Sequence, residues 1–145
     1  MENRFTREEI KQRFQTSIDA GHPIIVASAG IGIAAKFAER GGADMIGLFN
    51  SSYLGLGRVE ATSLMPYGNA NDIVMSLGDR IFPVVQDTPI LGGIIGSDPT
   101  REMTPFLKIM QFKGFPAVIN FPSPGFAYGQ HILHHLYNLS RFMLQ

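Results

Sequence analysis

The chain has 145 residues, 45% hydrophobic and 17% charged, which suits one folded domain with a sizeable core and excludes intrinsic disorder. Twelve basic residues balance twelve acidic ones, so no global field draws the chain to nucleic acid or an anionic membrane, and any anion site must be local. With no cysteine, disulfides, thiolate metal sites and cysteine nucleophiles all drop out, as fits a reducing cytosol.

The N-terminal stretch MENRFTREEIKQRF is charged and lacks the apolar core of a signal peptide. The longest uncharged apolar stretch, PIIVASAGIGIAA, has 13 residues. A membrane span takes about 20. A soluble, cytoplasmic protein is expected, with neither nucleic acid nor a membrane as partner.

Thr6 with Glu9 three residues on is a capping box. Ile10, Phe14 and Ile18 then share one helical face, and Gly21 supplies the stop. A strand follows at 23–29. Gly30 and Gly32 open a second helix with Ile33, Phe37 and Ala38 as its apolar stripe, ended by Gly41-Gly42; 45–49 is the next strand. The segment from Asn50 to about Asn71 reads as a loop, rich in Gly, Ser and Asn. A helix from near Asn71 turns Ile73, Val74 and Leu77 inward until Pro83 ends it, and 89–95 is the third strand. A helix with Phe106, Leu107 and Met110 inward ends at Gly114 and leads to a fourth strand at 116–121. The last helical segment carries Ile132, Leu136, Leu139 and Met143 on one side, to cover exposed apolar surface or pair with a second chain.

One helix followed by four strand–helix repeats, with strands that are near-continuous apolar runs, predicts an α/β fold with a parallel sheet covered on both faces. Four such units make either an open doubly wound sheet or half of a TIM (β/α)8 barrel, whose full length is about 250 residues. A half barrel would leave two strand edges and the apolar faces of its first and last strands open, which predicts a homo-oligomer.

In either architecture ligands gather beyond the carboxyl ends of the strands. Those ends read Ser28, Ala29, Gly30 and Gly32; then Asn50, Ser51 and Ser52; then Gly96, Ser97 and Asp98; then Asn120. Each is also a good helix cap or turn former, so capping is the plain reading of any one of them. Gly30-Ile31-Gly32-Ile33-Ala34-Ala35 fits G-x-G-x-x-G/A, but Asn50 stands where a ribose-binding acid belongs. Phosphate or carboxylate on the turn's amides and simple tight packing both remain open for this glycine pair. Asp98 precedes Pro99, yet Pro105 would fall deep in a helix started there; Thr104 as cap with Pro105 first leaves Asp98 in a turn, as metal ligand or general base. Arg58 and Arg101 follow strand ends and are placed to clamp an anion. His131 and His135 stand four apart but lack the Glu of an H-E-x-x-H pair.

The stretches SAGIGIAAKFAERGGADMIGLFNSS, LMPYGNAN, PVVQDTPILGGIIGSDPTREM and GFPAVINFPSPG, in this order from about Phe5 to Gly125, resemble the phosphoenolpyruvate hydrolase-like family. This is a TIM-barrel family within the phosphoenolpyruvate/pyruvate superfamily, similar also to the C-terminal region of plant tobamovirus-resistance proteins. The resemblance implies one partial barrel domain over 1–145 with a divergent tail at 126–145, and a hydrolase or lyase acting on a small anionic oxo-acid such as phosphoenolpyruvate or phosphonopyruvate. Under it, the Gly30 and Gly32 amides, Ser28, Ser51, Ser97 and Arg58 would hold the anion. Asp98 would position water or metal, and Asn50 and Asn120 would donate to a developing enolate. It leaves the cofactor open, with Mg²⁺ the metal it allows and Asp98 the ligand if any binds; metal-dependent relatives carry D-x-D on the third strand, where this chain reads Gly92, Gly93, Ile94, which speaks against a site of that type. The three glycines Gly92, Gly93 and Gly96 would leave room for a ligand inside the barrel. The other expectation is a barrel without chemistry that serves as a binding or regulatory module.

Overall fold

The computed structural model describes residues 5–54 and 69–121. Arg58, the two tail histidines and the terminal helical segment lie outside the described residues. Helix α1 spans Arg7–Asp19 behind a complete capping box, in which the Glu9 N–H donates to Thr6 Oγ1 at 3.2 Å and the Thr6 N–H donates to Glu9 Oε2 at 2.6 Å. Gly21, at φ +72°, turns the chain out of the helix, and the His22 N–H closes on the Ser17 carbonyl. Ile10 is buried beneath the helix and Phe14 half-buried, while Ile18 stays exposed.

The elements that follow are β1 (Val26–Ser28), α2 (Gly32–Arg40), β2 (Met45–Leu48), a 3-10 turn (Asn50–Leu54), α3 (Ala70–Ile81), β3 (Ile90–Ile94), α4 (Met103–Lys113) and β4 (Ala117–Asn120). All three strand pairs are parallel, with Val26 opposite Met45, Ile46 opposite Ile90 and Leu91 opposite Ala117. Spatial order equals chain order, β1-β2-β3-β4. A doubly wound sheet must reverse direction somewhere; among the described residues this one does not. Right-handed crossovers advancing one way put every crossover helix on the same side. The sheet is thus a four-stranded arc of the kind that builds half of a TIM barrel.

Burial follows from that winding. On the helix side Ile46, Leu48, Ile90 and Ile94 meet Ala35 of α2, Val74, Leu77 and Ile81 of α3, and Phe106 and Met110 of α4. Gly92 lies on this side, where a Cβ would stand 2.7 Å from Met110 Cε and 3.1 Å from the Phe115 ring, so its bareness lets α4 close on the sheet. On the concave side the Phe49 ring covers both Gly47 and Gly93 and meets Phe121 edge-on at 5.0 Å between centroids. Gly92 and Gly93 therefore do not leave a hollow for a ligand, whereas Gly96 meets, among the described residues, only the Asn120 side chain, 3.5 Å from where a Cβ would sit. Gly92 admits Met110 and Phe115; Gly93 admits Phe49, with the Phe121 carbonyl 2.9 Å from where a Cβ would sit.

Several local expectations change. Ile33 and Phe37 are 63% and 60% exposed, because α2 packs through Ala35 and Ala38 instead. Leu107 is also exposed, on a helix whose inner line is Phe106 and Met110. Asn69 caps α3, accepting from the N–H groups of Asn71 and Asp72. Helix α4 starts one residue before Thr104, with Glu102 at the cap position; Pro105 falls in the first turn, where its missing N–H has no helical partner to lose. Both-face cover holds for β2 and most of β3, but not for β1 or β4. Among the described residues no helix is long and apolar enough to cross a membrane.

Candidate functional site at the carboxyl rim

Each crossover helix runs antiparallel to its strand, so the carboxyl ends of the strands and the amino ends of α2, α3 and α4 meet on one rim. At the first strand end the Ser28 and Ser52 hydroxyls are 2.7 Å apart, tying β1 to the 3-10 turn after β2. Gly30 is buried against the Ser52 carbonyl, which occupies the space a Cβ would take. Gly32 faces Val84, whose Cγ2 would be 3.2 Å from a Cβ. Both glycines are thus explained by close packing, and the Ser52 carbonyl stands where a dinucleotide fingerprint needs open backbone. Ile31 holds the cap position of α2 and supplies no side-chain acceptor. The first N–H groups of α2 therefore have no side-chain cap beside Ser28, unlike those of α1 and α3, which Thr6 and Asn69 cap.

At the third strand end Asp98 is buried and heavily hydrogen-bonded. Its Oδ2 accepts from Asn69 Nδ2 at 2.9 Å, Asn71 Nδ2 at 3.0 Å and Arg101 Nε at 2.7 Å. Its Oδ1 accepts from the Thr100 N–H at 2.9 Å and hydroxyl at 2.6 Å. Burial pulls this carboxyl up, but the bonds from Thr100, Asn69 and Asn71 outweigh it and hold it well below the usual carboxylate range. A carboxylate so stabilised is a poor proton acceptor. Arg101 is committed as well, to Asp98 and, through its terminal nitrogen, to Asp72 at 3.1 Å, and it lies over the Phe106 ring. Neither group has the freedom the sequence suggested.

The remaining rim residues fall where expected along the chain but differ in access. Asn50 is buried in the 3-10 turn that packs on α3, and Ser51 beside it is half-buried. Ser97 is half-buried in the turn after β3. Asn120 is exposed at the end of β4, where its Oδ1 accepts from the Gly96 N–H at 3.0 Å. Sequence reasoning missed Asn69 and Asn71. They looked like loop residues, and only the fold brings them to an aspartate 29 and 27 positions away.

A cleft of about 940 Å³ opens elsewhere, at the amino ends of β2 and β3. Arg13 and Ser17 of α1, Lys36 and Glu39 of α2, and Asp87 before β3 are among its lining residues. Parallel βα sheets, however, place chemistry at the opposite end, where strand-end polar groups converge. The rim is therefore the candidate site.

Mg²⁺ does not suit these residues. Five donors already fill both oxygens of Asp98, and among the described residues no three His, Asp or Glu side chains cluster to hold a metal ion.

A one-way parallel arc with small and polar residues at successive strand ends defines a TIM-barrel type of α/β protein. Residues 9–135 match the family described as phosphoenolpyruvate hydrolase-like, and the chain belongs to it. It is 42% identical over 120 residues to the ToMV resistance protein Tm-1(GCR237) of Solanum lycopersicum, and 43% identical over 117 residues to the ToMV susceptible protein tm-1(GCR26) of the same plant. These matches cover 82% and 80% of the chain, and 16% of each tomato protein.

Proposed function

We propose that the carboxyl rim binds a small anionic oxo-acid and hydrolyses it, with phosphoenolpyruvate or phosphonopyruvate as the substrate class. The observation that carries this reading is the amino end of α2, which has no side-chain cap, beside the Ser28–Ser52 hydroxyl pair. Backbone N–H groups and hydroxyls together form a donor set for a carboxylate or phosphate. Ser51, Ser97 and Arg58 are the further anion contacts proposed. Water attacks phosphorus; the P–O or P–C bond breaks, phosphate departs, and the enolate of pyruvate takes up a proton. Asn50 and Asn120 donate to that enolate oxygen, dipoles fixed before the charge develops. Asp98 acts as a positioning residue: its bonds to Asn71, Arg101 and Thr100 set the turn that carries Ser97.

A second reading, a barrel that binds the anion without turning it over, is favoured by the saturated Asp98, since no other carboxylate among the strand-end residues named above replaces it as a base. Pyruvate release from each compound, measured with Mg²⁺ and with a chelator, separates the two. The enzymatic reading expects release above the no-protein control, abolished by Asn120→Ala. Protection against heat by phosphonopyruvate with no pyruvate formed selects the binding module. Neither protection nor release from a folded chain removes both.

A further inference from the structure

The cleft at the amino ends of β2 and β3 has no part in the function proposed above. Its volume of about 940 Å³ falls within the roughly 300–1,000 Å³ range of small-molecule pockets. All its walls are described elements: α1, α2, and the turns that lead into β2 and β3. The hydrogen bonds there treat acids and cations differently. Glu39 Oε1 accepts from the N–H groups of Gln86, Asp87 and Thr88. The Asp44 carboxylate accepts from the Ser17 hydroxyl at 3.2 Å and the Ile25 N–H at 2.7 Å. Asp44 thereby ties α1 to the start of β1, and Glu39 ties α2 to the approach to β3. Arg13 completes the frame by donating to the Asp87 carbonyl at 2.7 Å. Two acids are thus spent on holding the walls in place.

The cations are not spent on acids in return. Arg13, Lys36 and Arg40 all line the cleft, and among the described residues none of them forms an ion pair. Glu9, one turn before Arg13, is bonded to Thr6 instead. Lys36 and Arg40 stand four apart on α2 and so share one helical face. Arg13 brings a guanidinium fork from a different helix. We infer that this cleft binds a small molecule carrying two phosphate groups on an uncharged body, of the sugar bisphosphate class. A phosphate monoester carries about −1.5 to −2 at neutral pH, so two of them balance three cations where a single carboxylate cannot. Thr16, Ser17 and Val84 line the same space and offer hydroxyls and an apolar surface to the body of the ligand. The walls are fixed before a ligand arrives, which lowers the ordering cost of binding. The inference stands on this cleft alone and does not depend on the enzymatic reading of the rim.

Titration calorimetry of the whole chain with fructose 1,6-bisphosphate, fructose 6-phosphate and inorganic phosphate tests it, with backbone amide NMR shifts to locate the ligand. The bisphosphate should bind at least about tenfold tighter than either single phosphate, the scale of one added charge-assisted contact. The amide signals of Gln86, Asp87 and Thr88 should move, and those of Ser28 and Gly32 should not. Lys36→Gln combined with Arg40→Gln should weaken the bisphosphate at least about tenfold. The melting temperature should not change, because both side chains are exposed and neither forms an ion pair. Ser28→Ala, at the rim, should bind the bisphosphate as the parent does, so failure of the rim reading leaves this result standing. A dissociation constant above about 10 mM for the bisphosphate overturns the inference. So do equal affinities for the three probes, binding indifferent to the double substitution, or shifts confined to the rim.

Discussion

Asn71 treats Ile95 as a neighbouring strand would: its Oδ1 accepts the Ile95 N–H at 2.8 Å and its Nδ2 donates to the Ile95 carbonyl at 3.2 Å. The same Nδ2 reaches Asp98 at 3.0 Å, so one fully buried amide locks the end of β3 to the start of α3. Truncating it strands an N–H and a carbonyl at once and takes one donor from a buried carboxylate. Asn71→Ala should lower unfolding free energy by about 3 kcal/mol, the sum expected for such unsatisfied groups. Urea titration measures this, and a loss below about 0.5 kcal/mol, the scale of an ordinary surface change, would refute the lock.

Acid should act through the partner of that amide. The Asp98 carboxyl lies below its ordinary value in the fold, so between the two values the unfolded chain holds a proton that the native chain does not. Stability then rises with pH in that window. Its contribution is complete above about pH 5 and drains away as pH falls through the ordinary carboxylate range. Glu9, lowered by its backbone and side-chain bonds to Thr6, adds in the same direction from an exposed site. Asp98→Asn should be less stable near neutrality and lose less between pH 5 and pH 3, compared by urea midpoints. Parallel curves for variant and parent would assign the acid sensitivity elsewhere.

Much of this fold could be read from near neighbours along the chain, because its signals are local. Thr6 with Glu9, Gly21 after α1 and Gly114 after α4 act within a few residues, and each terminates or caps as its chemistry dictates. What could not be read is which side of an element meets what. Ile33 and Phe37 form a genuine helical stripe, but α2 turns Ala35 to the sheet, since so small a side chain lets the helix approach closely and larger residues would hold it off. The ring of partners around Asp98 was hidden for another reason. Asn69 and Asn71 reach it across a long connection whose closure no local pattern announces. The polar strand ends were legible as a set; that Asp98 spends its charge within the fold was not.

Phe49 and Gly47 form a matched pair. A Cβ on Gly47 would lie 2.6 Å from Phe49 Cε2 and 2.9 Å from Cζ, with Val26 Cγ1 next, at 3.4 Å. Gly47→Ala should thus cost about 1–3 kcal/mol by overpacking. In a Phe49→Leu background, where the far end of the ring is gone, the same change should cost about 0.5 kcal/mol or less, a coupling well outside additive behaviour. Gly93→Ala should not be rescued so well, because the Phe121 carbonyl remains 2.9 Å from its Cβ. Equal costs for Gly47→Ala in both backgrounds would show that the ring moves aside freely.

At the opposite end of the sheet a single oxygen organises the approach to β3. Glu39 Oε1 accepts from three consecutive backbone N–H groups, those of Gln86 at 3.0 Å, Asp87 at 2.7 Å and Thr88 at 3.0 Å. A carboxylate in the last turn of a helix opposes the helix dipole, so its position needs compensation, and the three converging amides supply it. Glu39→Ala should remove about 1–2 kcal/mol, which in a chain of this size lowers the melting temperature by about 4–6 °C. Glu39→Gln keeps the accepting oxygen and loses only the charge, so it should fall roughly midway between parent and alanine variant. If glutamine is as harmful as alanine, charge and not acceptor geometry holds the loop; if both are silent, the loop before β3 is held by Arg13, whose guanidinium donates to the Asp87 carbonyl at 2.7 Å.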